Sequence, residues 1–242
     1  MVLPSPPWVS DRKPARRKLS LEAIVGAGLE ILEAEGLDAV TMRAVAAKLD
    51  TGAASLYAHV RDKSELHQWM LDAVIGEVEI PEADPERWQE QLKEACRSTY
   101  AALSRHSGIA AINMAHIPVG PNALRCSEAM LKILLGGGLT REAAGLAIDL
   151  ITLYPTAVAF EESVWRERAA KSPDQDWSEG SIVARIDEYF RALPEDRFPL
   201  VKAMAPFLTA GDGQVRFEFG LSVLVAGLDS LRHWRPDHRD ST

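Results

Sequence analysis

The chain has 242 residues, 47% hydrophobic and 26% charged, a balance that excludes intrinsic disorder and leaves room for one large or two modest cores. A net charge of −8 and a pI of about 5.3 speak against a polyanionic partner, yet residues 1 to 70 hold nine Lys/Arg and nine acids, so the whole excess lies further on, where 18 basic residues face 26 acidic ones. Two cysteines, Cys96 and Cys126, exclude a disulfide framework and any CxxC metal or redox spacing, and both read as small buried thiols.

Residues 1–16 are rich in proline and end in a basic run, with five of the seven positions from Arg12 to Lys18 carrying positive charge. The segment reads as a disordered arm, either simply solvated or reaching phosphates and a minor groove. Pro4, Pro6 and Pro7 stand where a signal peptide would need an apolar helix. No apolar run is expected to approach the roughly 20 residues of a membrane span, so the expectation is a cytoplasmic protein with no membrane partner.

Apolar residues recur at three and four, and no segment sustains an alternation of two, which predicts an all-α fold. Ser20 caps a first helix whose stripe Leu21, Ile24, Gly28, Ile31 and Leu32 runs to a stop at Gly36. Thr41 caps a short second helix with Val45 and Leu49 facing inward, and Asp50-Thr51-Gly52 breaks it. Ala53 to His59 is predicted as one more short helix, and Asp62 caps a longer one carrying Leu66, Met70, Ala73 and Val74. After Pro81 and Pro85 the predicted helices span Pro85 to Arg105, Gly108 to Ala115, Pro121 to Leu135, Thr140 to Ala169, Glu179 to Leu193, Pro199 to Leu208 and Gln214 to Trp234. Pro155 is expected to kink the fourth of these.

Two short helices joined by a tight turn present a helix end-on to a major groove. In that scheme Thr41 to Leu49 supports and Ala53 to His59 reads. The small residues Ala53, Ala54 and Ser55 let the backbone approach DNA closely, while Tyr57, His59 and Lys63 supply polar tips along the same edge.

The segments Leu37 to Ala46 and Ala53 to Leu66, with their Leu-Tyr-x-His-Val-x-x-Lys register, resemble the tetracycline-repressor (TetR) family of transcriptional regulators. The resemblance covers residues 17–77, with the helix-turn-helix at about 41–60. It implies that Arg43 touches phosphate or a base, that Ala53, Ala54 and Ser55 face bases, and that Tyr57, His59 and Lys63 hold the backbone of a near-palindromic, double-stranded operator. Asp50 occupies a turn position usually held by Gly, in a left-handed conformation that Asp tolerates at some cost. Thr51 stands where an apolar plug is usual.

Residues 81–235 are expected to form a ligand-binding and dimerisation domain. The wide stripes on the last helix (Phe217, Leu221, Leu224, Leu228) and on the helix from Thr140 (Ile148, Ile151, Val158) are, by their position in the resembled family, the candidate homodimer interface. Trp88, Tyr100, Asn113, His116, Tyr154, Phe160 and Glu161 are candidate lining for a pocket taking an unknown small, apolar effector. The region after Ser107 is weakly similar to the drug-binding half of the tetracycline repressors. The histidines that hold magnesium there are replaced by Glu79, Ile112 or Asn113, and Leu153, which argues against tetracycline itself. No HExxH, GxSxG, Walker or GxGxxG pattern occurs, so no enzyme, catalytic residue, metal site or cofactor is expected. The reading is a repressor released by its ligand. The alternatives are an activator or ligand-independent regulator of the same fold and, further off, a helical binding protein or enzyme.

Overall fold

The computed structural model describes residues 19–172, 174 and 176–235, so the basic arm up to Lys18 lies outside the described residues. Those residues form eleven α-helices and one 3₁₀ turn, with no strand among them. The helices are α1 (Leu21–Glu35), α2 (Met42–Lys48), α3 (Ala53–Leu56), α4 (Lys63–Ile75), α5 (Trp88–Arg105), α6 (Ile109–Ala115), α7 (Pro121–Gly136), α8 (Arg141–Lys171), α9 (Glu179–Ala192), α10 (Pro199–Leu208) and α11 (Gly213–Ser230).

Helix starts follow from local chemistry. Ser20, Thr41, Asp62, Thr140 and Asp212 each accept a hydrogen bond from the backbone N–H three residues on, satisfying a donor that has no partner within the helix. Asp62 and Glu65 act reciprocally, since the Glu65 carboxylate also accepts from the Arg61 N–H at 2.7 Å. Gly36, at φ 86°, ends α1 with its N–H on the Leu32 carbonyl.

Two apolar clusters carry the packing. The first runs from Ile24, Leu32, Val45 and Leu56 through Leu66 and Met70 to Ile109, Ile112 and Ala123, so α4 is common to the N-terminal helices and to α6 and α7. The second joins α5, α7, α8 and α11 around Leu92, Ile133, Ile151 and Leu221. The expectation that no apolar run reaches membrane length does not hold, because α8 contains an 18-residue window of mean hydropathy 1.6. Helix α8 packs on α5, α6, α7 and α11 but leaves Leu146, Leu150 and Leu153 exposed, so its apolar character exceeds what packing within this chain uses. Pro155 sits inside this unbroken helix. It has no N–H for the Ile151 carbonyl, which instead accepts from the Cys96 thiol at 3.5 Å.

One buried acid ties α4 to the start of α7, the helix whose residues enter both clusters. Asp72 of α4, 5% exposed, accepts from the backbone N–H groups of Asn122 (3.1 Å) and Ala123 (3.0 Å) at the start of α7, whose own N-cap, Gly120, has no side chain to offer. Asn122 returns a hydrogen bond from Nδ2 to the Asp72 carbonyl at 3.1 Å. A Cβ on Gly120 would overlap the Asp72 carboxylate, so the close approach requires glycine. Replacing Asp72 by Ala leaves one buried and one half-buried N–H without their acceptor and should lower stability by about 1–3 kcal/mol. Asp72→Asn keeps one acceptor and should lose less, as the urea midpoints of the two variants would show.

Candidate nucleic-acid interface and the cavity behind it

Helices α2 and α3 are joined by a left-handed turn. Asp50 has φ 50° and is the one non-glycine residue with positive φ among those described. Its N–H donates to the Ala47 carbonyl at 3.1 Å, and the Thr51 N–H reaches back to Ala46 at 2.9 Å, the paired bonds of a Schellman ending. Asp therefore adopts the expected conformation, and Thr51 is half-buried behind it.

Helix α3 is shorter than the predicted Ala53 to His59. The Leu56 carbonyl accepts from both His59 (2.9 Å) and Val60 (3.0 Å), which tightens the chain into a turn and ends the regular ladder. Leu56 and Val60 are both buried and anchor that turn, leaving Tyr57, Ala58 and His59 exposed between them. Ala54, Ser55, Arg43 and Lys63 are also exposed, whereas Ala53 is half-buried against the core. Charge is distributed selectively at this end. Lys48 pairs with Glu30 at 2.8 Å and Arg61 with Asp62 at 3.0 Å, but among the described residues neither Arg43 nor Lys63 is held in an ion pair.

Behind the exposed turn, α4 leads inward. Ser64 contacts His116 at 3.2 Å, joining the first turn of α4 to the end of α6. His116 Nδ1 lies 3.0 Å from the Ile112 carbonyl and donates to it, which leaves Nε2 to accept from the Ser64 hydroxyl. His67, one turn further along α4, is half-buried. Burial pushes its imidazole down to about 4, with Lys63 and His116 adding to the shift, and its buried Nε2 has no hydrogen-bond partner. On the far side His106 bridges Glu33 of α1 and Glu77 beyond α4, each at 2.8 Å. Partial burial raises the Glu77 carboxyl, but Arg105 and His106 outweigh it and hold the group below its ordinary range.

The C-terminal end of α4 forms one wall of a cavity of about 360 Å³. Ile75 and Val78 face Leu103 of α5, Met114 of α6, Met130 of α7 and Thr152 of α8 across it. Its lining is mainly apolar, with Asn113 Nδ2 donating to Thr156 Oγ1 at 2.8 Å among the few polar groups.

The seven predicted pocket residues separate. Asn113 and His116 line this cavity, while Tyr154 and Glu161 line a second one beyond α8. Trp88 is buried in the upper core beneath Arg232, and Tyr100 packs on Phe217 and donates to Glu162. Phe160 is at the surface, outside both. Sequence periodicity missed Ile75, Val78, Thr152 and Thr156, whose apolar or small side chains look like ordinary core.

Of the predicted dimer residues, Ile151, Phe217, Leu221 and Leu228 are buried within the single chain, and Ile148 and Val158 are partly buried against the same cluster. Leu224 is half-buried. The apolar surface left open lies elsewhere, at Phe219 and Val223 of α11, Leu146 and Leu150 of α8, and Leu200 and Phe207 of α10.

A tight-turned helix pair with an exposed reading end, set on a helical body that encloses a cavity, defines a helix-turn-helix DNA-binding protein. Residues 24–68 match the family model described as bacterial regulatory proteins of the tetR family, and residues 80–232 match the tetracycline-repressor-like C-terminal domain. An HTH-type transcriptional regulator of Saccharopolyspora erythraea is 30% identical over 227 residues, covering 93% of this chain and 92% of that protein. The HTH-type transcriptional repressor DrrR1 of Streptomyces coeruleorubidus is 31% identical over 93% of this chain and 83% of its own. Among solved structures, apo ActR of Streptomyces coelicolor superposes with a TM-score of 0.79 at 38% identity, over 89% of this chain and 97% of that one. ActR in complex with actinorhodin superposes with a TM-score of 0.78 at 39% identity, over 87% and 95%. The chain belongs to the TetR family of transcriptional regulators.

Acid should weaken the N-terminal helices earlier than carboxylate protonation alone would. His67 is favoured neutral when folded and titrates near 6.5 when unfolded, so its contribution is complete above about 6.5 and is lost as pH falls toward 4. Hydrogen exchange in α1–α4 should accelerate over that window, and His67→Gln should flatten the change. An identical pH profile in the variant would remove His67 as the cause.

Proposed function

We propose that this protein is a homodimeric repressor that binds a near-palindromic operator in the cytoplasm and releases it when a small, mainly apolar molecule occupies the cavity behind α4. The observation that carries this reading is the position of α4. Its first turn holds Lys63 beside the exposed reading end, and its last turn supplies Ile75 to the cavity wall. A ligand that fills the cavity presses on the helix that carries the reading end, and it need favour one setting of that helix by only about 1–3 kcal/mol.

In this reading residues 17–77 form the DNA-binding head and 81–235 the sensing body. Arg43, Tyr57, His59 and Lys63 contact the DNA backbone, while Ala54 and Ser55 approach base edges. Ala53 contributes through its backbone, because its side chain is partly spent in the core. Two small residues at the tip leave little long-armed base contact, so thymine methyls and groove shape carry much of the selectivity. The basic arm from Arg12 to Lys18 adds phosphate affinity. A second copy covers Phe219 and Val223 of α11 together with the open faces of α8 and α10. That pairing sets two reading ends one turn of DNA apart, roughly 34–36 Å. The named repressor among the relatives and the ligand-bound ActR structure support this reading.

Selection of bound duplexes from a random pool by the full chain should enrich an inverted repeat, and Phe219→Glu should leave only half-site binding or none. No enrichment of any repeat by the parent chain would overturn the operator reading. On the selected duplex, Lys63→Ala should weaken binding to all sequences alike and reduce the slope of log K against log salt by about 1. An unchanged slope would remove Lys63 from the phosphate contacts.

A further inference from the structure

Helix α5 stops at Arg105, and the chain leaves it in an extended conformation at His106 (φ −109°, ψ 93°) before Gly108 turns in the left-handed region at φ 88°. This exit sets the His106 ring, 15% exposed, between α1 on one side and the segment after α4 on the other. Nδ1 lies 2.8 Å from Glu33 Oε1, and Nε2 lies 2.8 Å from Glu77 Oε1. Glu77 is also held independently of the ring, because Arg105 donates to its Oε2 from Nε at 3.2 Å and from Nη2 at 2.7 Å. Glu33 has no second partner of this kind among the described residues, and half of its side chain is exposed.

An ionised carboxylate accepts hydrogen bonds and donates none, and a neutral imidazole carries one N–H and one bare nitrogen. Both contacts are therefore hydrogen bonds only when the ring carries a proton on each nitrogen. Charge points the same way. Glu33 and Glu77 bring two negative charges and Arg105 one positive, so the cluster balances when His106 is cationic. Glu77, whose carboxyl lies below its ordinary range, stays ionised throughout the range in which histidines change charge. The other charged groups nearby are turned outward or occupied: Asp38, on the turn after α1, is exposed, and Arg166 of α8, which donates to the Ser104 carbonyl, is paired with Glu162. Helix α6, which follows Gly108, has no titratable side chain.

When the ring holds a single proton, one of the two contacts must open. Arg105 fixes Glu77 beside Nε2, so the proton stays there, and Glu33 is the carboxylate free to turn into water. Its contact with His106 is, among the described residues, the one hydrogen bond or ion pair between α1 and the helices from α5 onward. The main packing partners of α1 are α2 and α4. We propose that His106 is a proton-operated latch between the N-terminal helices and the body: the cationic ring clamps α1 to the end of α5, and loss of the Nδ1 proton to solvent releases Glu33 while Arg105 keeps its hold beyond α4. The hold on α1 is complete at lower pH and is lost as pH rises through the range in which imidazoles give up a proton. This sign is the reverse of that of His67, whose contribution is lost as pH falls.

A double-mutant cycle on the full chain, without DNA, tests the latch whether or not the operator reading holds. Urea unfolding of the parent, Glu33→Gln, His106→Gln and the double variant, at one protein concentration, gives the coupling between the two positions. At about pH 6 the coupling should amount to about fivefold in the folding constant, and at about pH 8.5 it should fall to within about 1.5-fold of none. Amide exchange in the last two turns of α1, corrected for intrinsic rates, should be slower in the parent at the lower of these pH values, a difference that Glu33→Gln removes. If His106→Gln does not fold, Glu33→Gln alone decides the matter: it should lower the urea midpoint at about pH 6 and leave it unchanged at about pH 8.5. Equal coupling at the two pH values overturns control by a proton, and absence of coupling at both overturns the latch. Coupling that grows as pH rises reverses the sign and overturns the proposal as well.

Discussion

Asp72 is the point on which the two halves of the molecule depend. Helix α7 begins at Pro121 after a glycine with no side chain to offer, so the donors of its first turn must find an acceptor elsewhere. The acceptor comes from α4, some fifty residues earlier in the chain. Helix formation in the body is thereby completed by a side chain of the helix that also closes the N-terminal core. His106 and the Ser64–His116 contact add further ties on either side, and Arg125 reaches the carbonyls at the end of α4. Helix α4 is therefore fixed at several points along its length.

Much of this was legible in the sequence because helix boundaries are set by short-range chemistry. Ser20, Thr41, Asp62 and Thr140 announce helix starts by their type and by the apolar run that follows, and each proves to be a cap with its bond made. Asp50 was legible through the family resemblance, which sets a left-handed turn at its position, and it holds that conformation. Contacts between distant elements were not legible. The stripes on α8 and α11 show which residues are buried, but periodicity does not say whether the burying surface belongs to the same chain. Here it does, through Phe217 and Leu221. The candidate pocket residues divided for a related reason, since Asn113 and Tyr154 look alike in a list of polar and aromatic side chains yet reach opposite sides of α8. Asp72 looks like a surface acid on an amphipathic helix, so it left no local signal.

The acidic balance of the chain also has a structural account. Many acids of the body are engaged in bridging helices. Glu218 receives a two-pronged hydrogen bond from Arg97 that holds α11 on α5, and this bond keeps its carboxyl below the usual range. Glu162 joins Tyr100, Ser104 and Arg166 between α5 and α8. Residues 1–70 balance in charge because five of their nine cations lie between Arg12 and Lys18, and two others, Arg43 and Lys63, are in no ion pair among the described residues beside the exposed turn. A local electrostatic preference can therefore coexist with an overall charge of the opposite sign.

The pairing of Pro155 with Cys96 links two positions 59 residues apart. Proline leaves one carbonyl of α8 without its usual partner, and a thiol from α5 occupies that vacancy, while burial pushes the Cys96 thiol up to about 12 and away from thiolate chemistry. Restoring an N–H at position 155 would close the helix ladder and displace the thiol from its acceptor, and removing the thiol alone would leave the carbonyl bare. Changes at the two sites should therefore be non-additive, with the double replacement milder than the sum of the single ones.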